Sequence, residues 1–178
     1  MGERSNDDPV RLCAYDAAWV TAFGHEAVVL GEVLGPWLTG GVHHVGSTAV
    51  PGLVAKPIID IMAGVGDLES SRDAIEKLGG LGYCYAPYRA DVMHWFCKPS
   101  PSRRTHHLHL VPTGSARFTD VLAFRDYLRA HPAAAADYAE LKQRLAARHA
   151  DDRDAYTDGK AAMVAAISAD ARRWVATD

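Results

Sequence analysis

The sequence predicts an α+β protein in which a mixed β-sheet is flanked by helices and closed by a C-terminal helical cap. Alternating apolar and polar segments typical of strands lie between residues 41 and 111, and the last third of the chain has helical periodicity. No repeat or linker divides the 178 residues, which suffice for one core. We therefore expect a single domain over residues 13–178, preceded by a flexible segment at residues 1–12.

The first predicted helix runs from residue 16 to about residue 34. Asp16 has a side chain typical of an N-cap, and Gly35 with Pro36 ends the helix. The apolar positions recur at helical spacing: Trp19, Phe23, Ala27 and Leu30.

Strands and one short helix fill the middle of the chain. Residues 41–45 predict a short strand, and residues 57–65 predict a second, apolar one. Asp67 can cap a helix that extends to about residue 78. Residues 82–98 are patterned as two strands around a turn, and residues 105–111 alternate as a further strand.

The cap is predicted to contain three helices. The first spans about residues 116–130 and is broken at His131-Pro132, because proline lacks the amide that a helix interior requires. The second spans about residues 132–149, and the third about residues 154–175.

Composition and charge narrow the classes of function. A formal net charge of -3 gives no basic footprint, so we expect no nucleic-acid partner. The cysteines are odd in number and lack CxxC spacing, which indicates reduced thiols in a cytoplasmic protein: Cys13, Cys84 and Cys97. No run of 18 apolar residues predicts a membrane span. The sequence does not predict the oligomeric state.

One segment, HVGSTAVPGLVAKPIID at residues 44–60, carries most of the chemistry. Gly46 permits a tight turn, and Ser47 and Thr48 add hydroxyl groups beside backbone amides, which is typical of an anion site. Asp60 follows on an apolar strand, where its carboxylate could hold a divalent cation against that anion. No Gly-Lys-Ser/Thr closes the turn, so it is not a Walker A loop. An ordinary surface connection with a structural aspartate is the alternative.

The chain resembles the GrpB family, whose fold is similar to that of nucleotidyltransferases. The resemblance rests on the segments HVGSTAVPGLVAKPIIDI, THHLHLV, FRDYLRAHP and YAELK. It implies a nucleotidyltransferase-like sheet and a nucleotidyltransferase-type binding site. Members also occur fused to dephospho-CoA kinase, which implies an accessory role.

An acid and two imidazoles are the candidate catalytic and metal-binding groups. The resemblance implies two carboxylates in a D-x-D arrangement, but the second position here is Met62, which cannot bind Mg²⁺. His107 and His109 alternate onto one strand face and could meet Asp60 to form a site for a divalent metal. Phosphate binding, proton transfer and a purely structural role remain alternatives. His44 could join them.

Cations from the helical cap could meet the same site. Lys160 lies on an apolar helical stripe, where it must pair with or meet an anion. Arg125 and Lys142 lie on other helices, and Lys56 precedes the Asp60 strand. Each of these residues alone could equally form a structural ion pair.

Together these residues predict a protein that binds a nucleoside triphosphate and a divalent metal, Mg²⁺ or Mn²⁺ first, with Zn²⁺ or another transition metal as an alternative. It would transfer a nucleotidyl or phosphoryl group to a small-molecule acceptor. Catalysis is assigned to Asp60, His109 and Lys160, metal binding to Asp60, His107 and His109, and phosphate binding to Gly46, Ser47, Thr48, Lys56, Arg125 and Lys142.

Two alternatives stay open, and with them the question of whether the protein is an enzyme. One is an accessory or regulatory binding domain without catalysis, which would have a protein partner. The other is a metal-dependent enzyme that uses the histidines and Asp60 on a small polar substrate.

Overall fold

The computed structural model describes residues 9–177, which form an open five-stranded mixed sheet with flanking helices. The strands are β1 (Leu38–Val45), β2 (Ile59–Val65), β3 (Cys84–Ala86), β4 (His94–Pro99) and β5 (Arg104–Pro112). The helices are α1 (Ala18–Leu34), α2 (Ala74–Gly79), α3 (Ala116–Ala130), α4 (Pro132–Arg148), α5 (Arg153–Asp158) and α6 (Ala161–Val175). The predicted α+β class is confirmed.

The strand order is β1-β2-β5-β4-β3, and only β2 and β5 are parallel among these neighbours. Their register pairs Asp60 with His107 and Met62 with His109. Side chains paired in this way lie on the same face, because strand residues alternate between faces. The register therefore sets which imidazole stands beside the carboxylate.

The two faces of the sheet pack against different helices. One face packs against α1 and α2 through fully buried residues such as Ile61, Leu108 and Leu110. Burial of each such side chain contributes about 1.5–3 kcal/mol to the stability of the folded protein. The other face carries Met62 and packs against Phe118 of α3. Asp60 alternates onto this second face, so its carboxylate is turned toward the cap.

The helix predicted from residue 67 begins only at Ala74, which is a correction. The carboxylate of Asp67 accepts bonds from the amide and the hydroxyl of Ser70, both at 2.7 Å. The hydroxyl of Ser71 donates to the carbonyl of Asp67 at 2.7 Å. The bond from the Ser70 amide is the one that an N-cap accepts, but the backbone that follows forms turns. The amide of Arg72 donates to the Glu69 carbonyl at 3.2 Å, and that of Ala74 donates to the Ser71 carbonyl at 3.1 Å.

The predicted third cap helix is wrong as a single helix, because it is divided into α5 and α6. Gly159 ends α5 where the chain packs on α4, and a Cβ there would lie 2.5 Å from Leu145 Cδ2. Lys160 consequently occupies the N-cap position of α6. The break therefore places Lys160 between the two helices.

The segment predicted to be flexible, residues 1–12, is described only in part, since residues 1–8 lie outside the described residues. Val10 is buried, and its amide donates to the carbonyl of Ala150 at 2.7 Å. Among residues 9–177, no helix is both long enough and apolar enough to cross a bilayer.

Candidate functional site

A cleft of about 250 Å³ lies between the turn after β1 and the helical cap, and is called the lysine cleft below. Its lining includes three lysines, one carboxylate and two tyrosines: Lys56, Lys142, Lys160, Asp60, Tyr138 and Tyr156. The turn contributes Gly46, Ser47 and Thr48, and β5 contributes His107. Segments distant in the chain therefore meet at one cavity.

Gly46 brings the turn against Asp60. Its φ of 70° and ψ of -169° are rarely adopted by any residue with a side chain. A Cβ on Gly46 would overlap Asp60 Oδ2 and lie 2.9 Å from Asp60 Cβ. A short 3₁₀ turn, Ser47–Ala49, follows directly. Only glycine allows the backbone and this carboxylate to share the floor of the cleft.

Lys142 joins the cap to the turn and is only 2% exposed. Its Nζ donates to Ser47 Oγ at 3.0 Å and to the carbonyl of Val54, and lies 4.8 Å from the centroid of the Tyr138 ring. Burial, assisted by the charge of Lys160, lowers the pKa of Lys142 to about 7. An anion entering the cleft would favour the charged form of this amine.

Lys56 and Lys160 lie over the Tyr156 ring, with their Nζ atoms 5.3 Å and 4.4 Å from its centroid. Burial and the charge of Lys160 lower the pKa of Lys56 to about 8. Burial also lowers the pKa of Lys160, although Asp60 opposes that shift. The crowding of like charges beside one carboxylate gives the cleft a positive potential.

Asp60 and His107 form a hydrogen-bonded pair, with His107 Nδ1 at 2.8 Å from Asp60 Oδ1. Burial alone would raise the pKa of Asp60, but the bond from His107 and the charges of His107 and His109 hold it below its ordinary value. Because the ionised carboxylate can only accept, His107 donates this hydrogen bond from Nδ1. His107 Nε2 is buried and has no hydrogen-bond partner among residues 9–177.

His109 is not brought into a metal site with this pair. Its Nδ1 lies 3.3 Å from Met93 Sδ, and burial lowers its pKa to about 4, so the ring is neutral at neutral pH. The register places it beside Met62, two residue pairs farther along the strands than the pair of Asp60 and His107.

The donor set does not fit a resident metal. Asp60 Oδ1 and His107 Nδ1 are bonded to each other, and Met62, which offers no oxygen, is 1% exposed where a second carboxylate would stand. Between residues 9 and 177, no group of three His, Cys, Asp or Glu side chains is arranged to hold a metal ion. The divalent metal and the His/Asp metal-enzyme alternative stay predictions, for which the described residues bring no three such side chains together.

Two of the predicted phosphate ligands, Arg125 and Thr48, form hydrogen bonds with other groups of the protein. Arg125 forms two bonds to Asp126, at 2.7 Å and 2.9 Å, and donates from Nη1 to the carbonyl of His44 at 3.0 Å. It does not line the lysine cleft. Thr48 lines the cleft but is 1% exposed, and its hydroxyl bonds His44 Nε2 at 3.0 Å and the Ile58 carbonyl at 3.3 Å.

His44 does not join Asp60, which corrects a further expectation. It pairs with Ile61 on the opposite face and stacks on Phe23 of α1, with 4.8 Å between ring centroids. Burial lowers the pKa of His44 to about 4.

The aromatic walls of the cleft were not predicted as site residues. Tyr138 and Tyr156 each stand four residues before a cleft lysine, Lys142 and Lys160. In a continuous helix this spacing would place each pair on one side, so the signal was present in the sequence, although a helix break separates Tyr156 from Lys160.

The family model described as GrpB protein matches residues 9–170. The chain is 41% identical over 168 residues to UPF0157 protein PA4798 of Pseudomonas aeruginosa, covering 92% of this chain and 68% of that protein. It is 35% identical over 165 residues to UPF0157 protein YqkA of Bacillus subtilis, covering 93% of this chain. The chain spans about half, 48%, of the length of YqkA.

The crystal structure of the conserved protein GrpB from Enterococcus faecalis has the same fold. It superposes with a TM-score of 0.84 at 35% identity, covering 92% of this chain and 99% of that one. A dephospho-CoA kinase of Mycolicibacterium paratuberculosis is a more distant relative, 29% identical over 184 residues, of which this chain covers 42%.

Proposed function

Because this chain belongs to the GrpB family, we propose that its lysine cleft binds the phosphates of a nucleoside triphosphate. Asp60 would then support transfer of a nucleotidyl or phosphoryl group to a small-molecule acceptor. The observation that carries the proposal is the convergence of Lys56, Lys142 and Lys160 on one cavity that holds a single carboxylate, Asp60.

The charge and size of the cleft support a phosphate chain as its occupant. The lysines come from three separate segments, and Ser47 Oγ already accepts a bond from one of them. A cavity of about 250 Å³ lies below the roughly 300–1,000 Å³ of pockets that enclose whole ligands. The cleft therefore suits the phosphates, with the rest of the molecule extending into adjoining space.

The chain's own groups account for the chemistry of the transfer. Asp60 is ionised and can accept the proton of an acceptor hydroxyl as that oxygen bonds to phosphorus. The bond from phosphorus to the leaving group breaks in the same step, which releases pyrophosphate in nucleotidyl transfer or the nucleoside diphosphate in phosphoryl transfer. The lysine ammonium groups offset negative charge that develops on the phosphate oxygens. No step of the proposal passes through a metal ion, because the donor set around Asp60 does not fit one.

Isothermal titration with a metal-free, non-hydrolysable nucleoside triphosphate tests the binding. Lys142→Met and Lys160→Met should each weaken binding at least about tenfold, equivalent to about 1.4 kcal/mol. Lys77→Met is the matched control, because Lys77 is exposed on α2 outside the cleft. Undiminished affinity in both cleft variants, with circular dichroism confirming their fold, would refute the proposed role.

Transfer is tested by following triphosphate consumption with ³¹P NMR in the presence of a small-molecule extract. Asp60→Asn should keep triphosphate affinity, since it removes a negative charge from a positive cleft, and should lose at least about a hundredfold in rate. An equal rate in Asp60→Asn would exclude the carboxylate from the reaction.

An accessory or regulatory binding domain is the second candidate. It is favoured by Met62, which is buried where a second carboxylate would stand, and by the similarity to a dephospho-CoA kinase more than twice as long as the matched region. Triphosphate binding without consumption in the ³¹P experiment would select this function. In that case the expected partner is a protein whose activity the bound nucleotide modulates.

A further inference from the structure

A second cavity, of about 640 Å³, lies on the other side of Asp60 and is called the α3–α6 cavity below. We infer that it is the acceptor site and takes a small molecule with an apolar body and a terminal carboxylate or phosphate held by Arg117. This inference rests on the proposed function of the lysine cleft.

The two cavities share a wall. Gly46, Asp60 and Phe124 line both of them. A phosphate chain among the lysines and a molecule in the α3–α6 cavity would therefore approach the same carboxylate from opposite sides. That arrangement is the one that in-line transfer between two bound reactants requires.

The body of the cavity is apolar. Val92 from the loop before β4, Val121 from α3 and Val164 from α6 all line it. His109 also lines it as a neutral imidazole. Such walls favour an aliphatic or aromatic body that has at least one hydroxyl group near Asp60.

Arg117 supplies the charged end of the cavity. Its Nε is buried and has no hydrogen-bond partner among the described residues, although buried donors are normally satisfied. Asp120 of α3 also lines this cavity, and its carboxylate accepts a bond from Arg172 of α6 at 2.9 Å. Arg89 lines the same cavity and adds a second positive charge. A guanidinium with an unused donor matches the paired oxygens of a carboxylate or phosphate.

Titration followed by protein NMR tests the inference with simple probes. Phenyl phosphate and 3-phenylpropionate supply an apolar body with each kind of anion, and 3-phenylpropanol is their uncharged counterpart. At least one anion should bind the wild-type protein, and Arg117→Gln should weaken it tenfold or more while leaving 3-phenylpropanol unchanged. Arg117→Lys should give an intermediate affinity. The stronger of the two anions identifies the terminal group.

Two further variants make the result specific. Val164→Trp fills the cavity and should block all three probes, whereas Arg103→Gln removes an exposed charge of the β4–β5 loop and should change nothing. Inorganic tripolyphosphate reports separately on the lysine cleft. If tripolyphosphate binds and Arg117→Gln has no effect on the anions, the acceptor site is wrong while the phosphate cleft stands. Competition of adenosine with the probes would overturn the assignment by making this the nucleoside site.

Discussion

Lys142 shows how a single side chain serves both the fold and the cleft. Its ammonium group is buried, donates to Ser47 and to the Val54 carbonyl, and faces the Tyr138 ring. These contacts do not fully replace the lost hydration, so its pKa falls to about 7. This buried amine is only partly charged at neutral pH, and an anion in the cleft would favour its charged form.

The pH dependence of stability should reveal this burial. The unfolded chain keeps the lysine protonated to near its ordinary pKa of 10.5, whereas the folded protein releases the proton near pH 7. The unfolded state therefore binds more protons between these values, and wild-type stability must rise with pH relative to Lys142→Met. The expected difference is about 1.4 kcal/mol per pH unit at most, measured by urea unfolding from about pH 7.5 to about pH 9.5. Lys77→Met should retain the wild-type slope, and equal slopes in all three proteins would contradict the shifted pKa.

The turn between β1 and the 3₁₀ segment positions the carboxylate at the scale of an element. Gly46 combines a positive φ with direct contact to Asp60, whereas Gly52 has a φ of 78° and no neighbouring atom within 4 Å of where its Cβ would be. Comparing substitutions at the two glycines therefore distinguishes the effect of backbone strain from that of crowding against Asp60.

Alanine substitutions at these glycines should differ in their effect. Gly52→Ala introduces only backbone strain, about 1–2 kcal/mol. Gly46→Ala adds the overlap with Asp60 and should lose about 1–3 kcal/mol more in the free energy of unfolding. It should also shift the NMR signals of His107, since the Asp60–His107 bond must move. Equal losses with an unchanged His107 ring would show that the carboxylate tolerates a side chain at residue 46.

The helix break at Gly159 is the other element-scale feature of the site. A Cβ on Gly159 would crowd the Leu145 side chain, and α6 begins after Lys160, which is its N-cap residue. Lys160 Nζ remains 4.4 Å from the Tyr156 ring across this break. Lys160 therefore lines the cleft although the continuous helix that the sequence predicts is broken.

Across the whole molecule, the lysine cleft connects the sheet with the helical cap. Ser47 and Asp60 belong to the sheet and its turn, whereas Lys142 and Lys160 belong to the cap. An anion bound between them would contact both the sheet and the cap. These contacts exist only in the folded protein. Binding must then stabilise the folded protein by mass action.

Inorganic tripolyphosphate should consequently raise the thermal unfolding temperature. At 100 times the dissociation constant the gain is about 2.7 kcal/mol, or roughly 5–10 °C for a chain of this size. The shift should shrink as salt is added, because screening weakens the attraction of the lysines. Differential scanning calorimetry on wild type, Lys142→Met and Lys77→Met provides the measurement. A shift of equal size in Lys142→Met would place the bound anion elsewhere.

Local patterns made several features predictable. The glycine at 46, the acid at 60 and the alternation of residues 105–111 are all readable from neighbours in the chain, and so are the bounds of α3. The predicted helix from residue 67 begins only at Ala74, because the backbone before it makes turn bonds three residues apart, from Arg72 to Glu69 and from Ala74 to Ser71, which helical spacing does not encode.

The sequence by itself determined the family, the α+β class and the segment that carries Ser47 and Asp60, because these depend on residue order and periodicity. The tertiary structure alone decided that His107 bonds Asp60 while His109 turns to Met93, and that Asp126 occupies Arg125. It also decided that two cavities meet at one carboxylate. These outcomes depend on strand register, rotamers and distances between segments far apart in the chain, and a hydrogen bond is made or lost over less than an ångström.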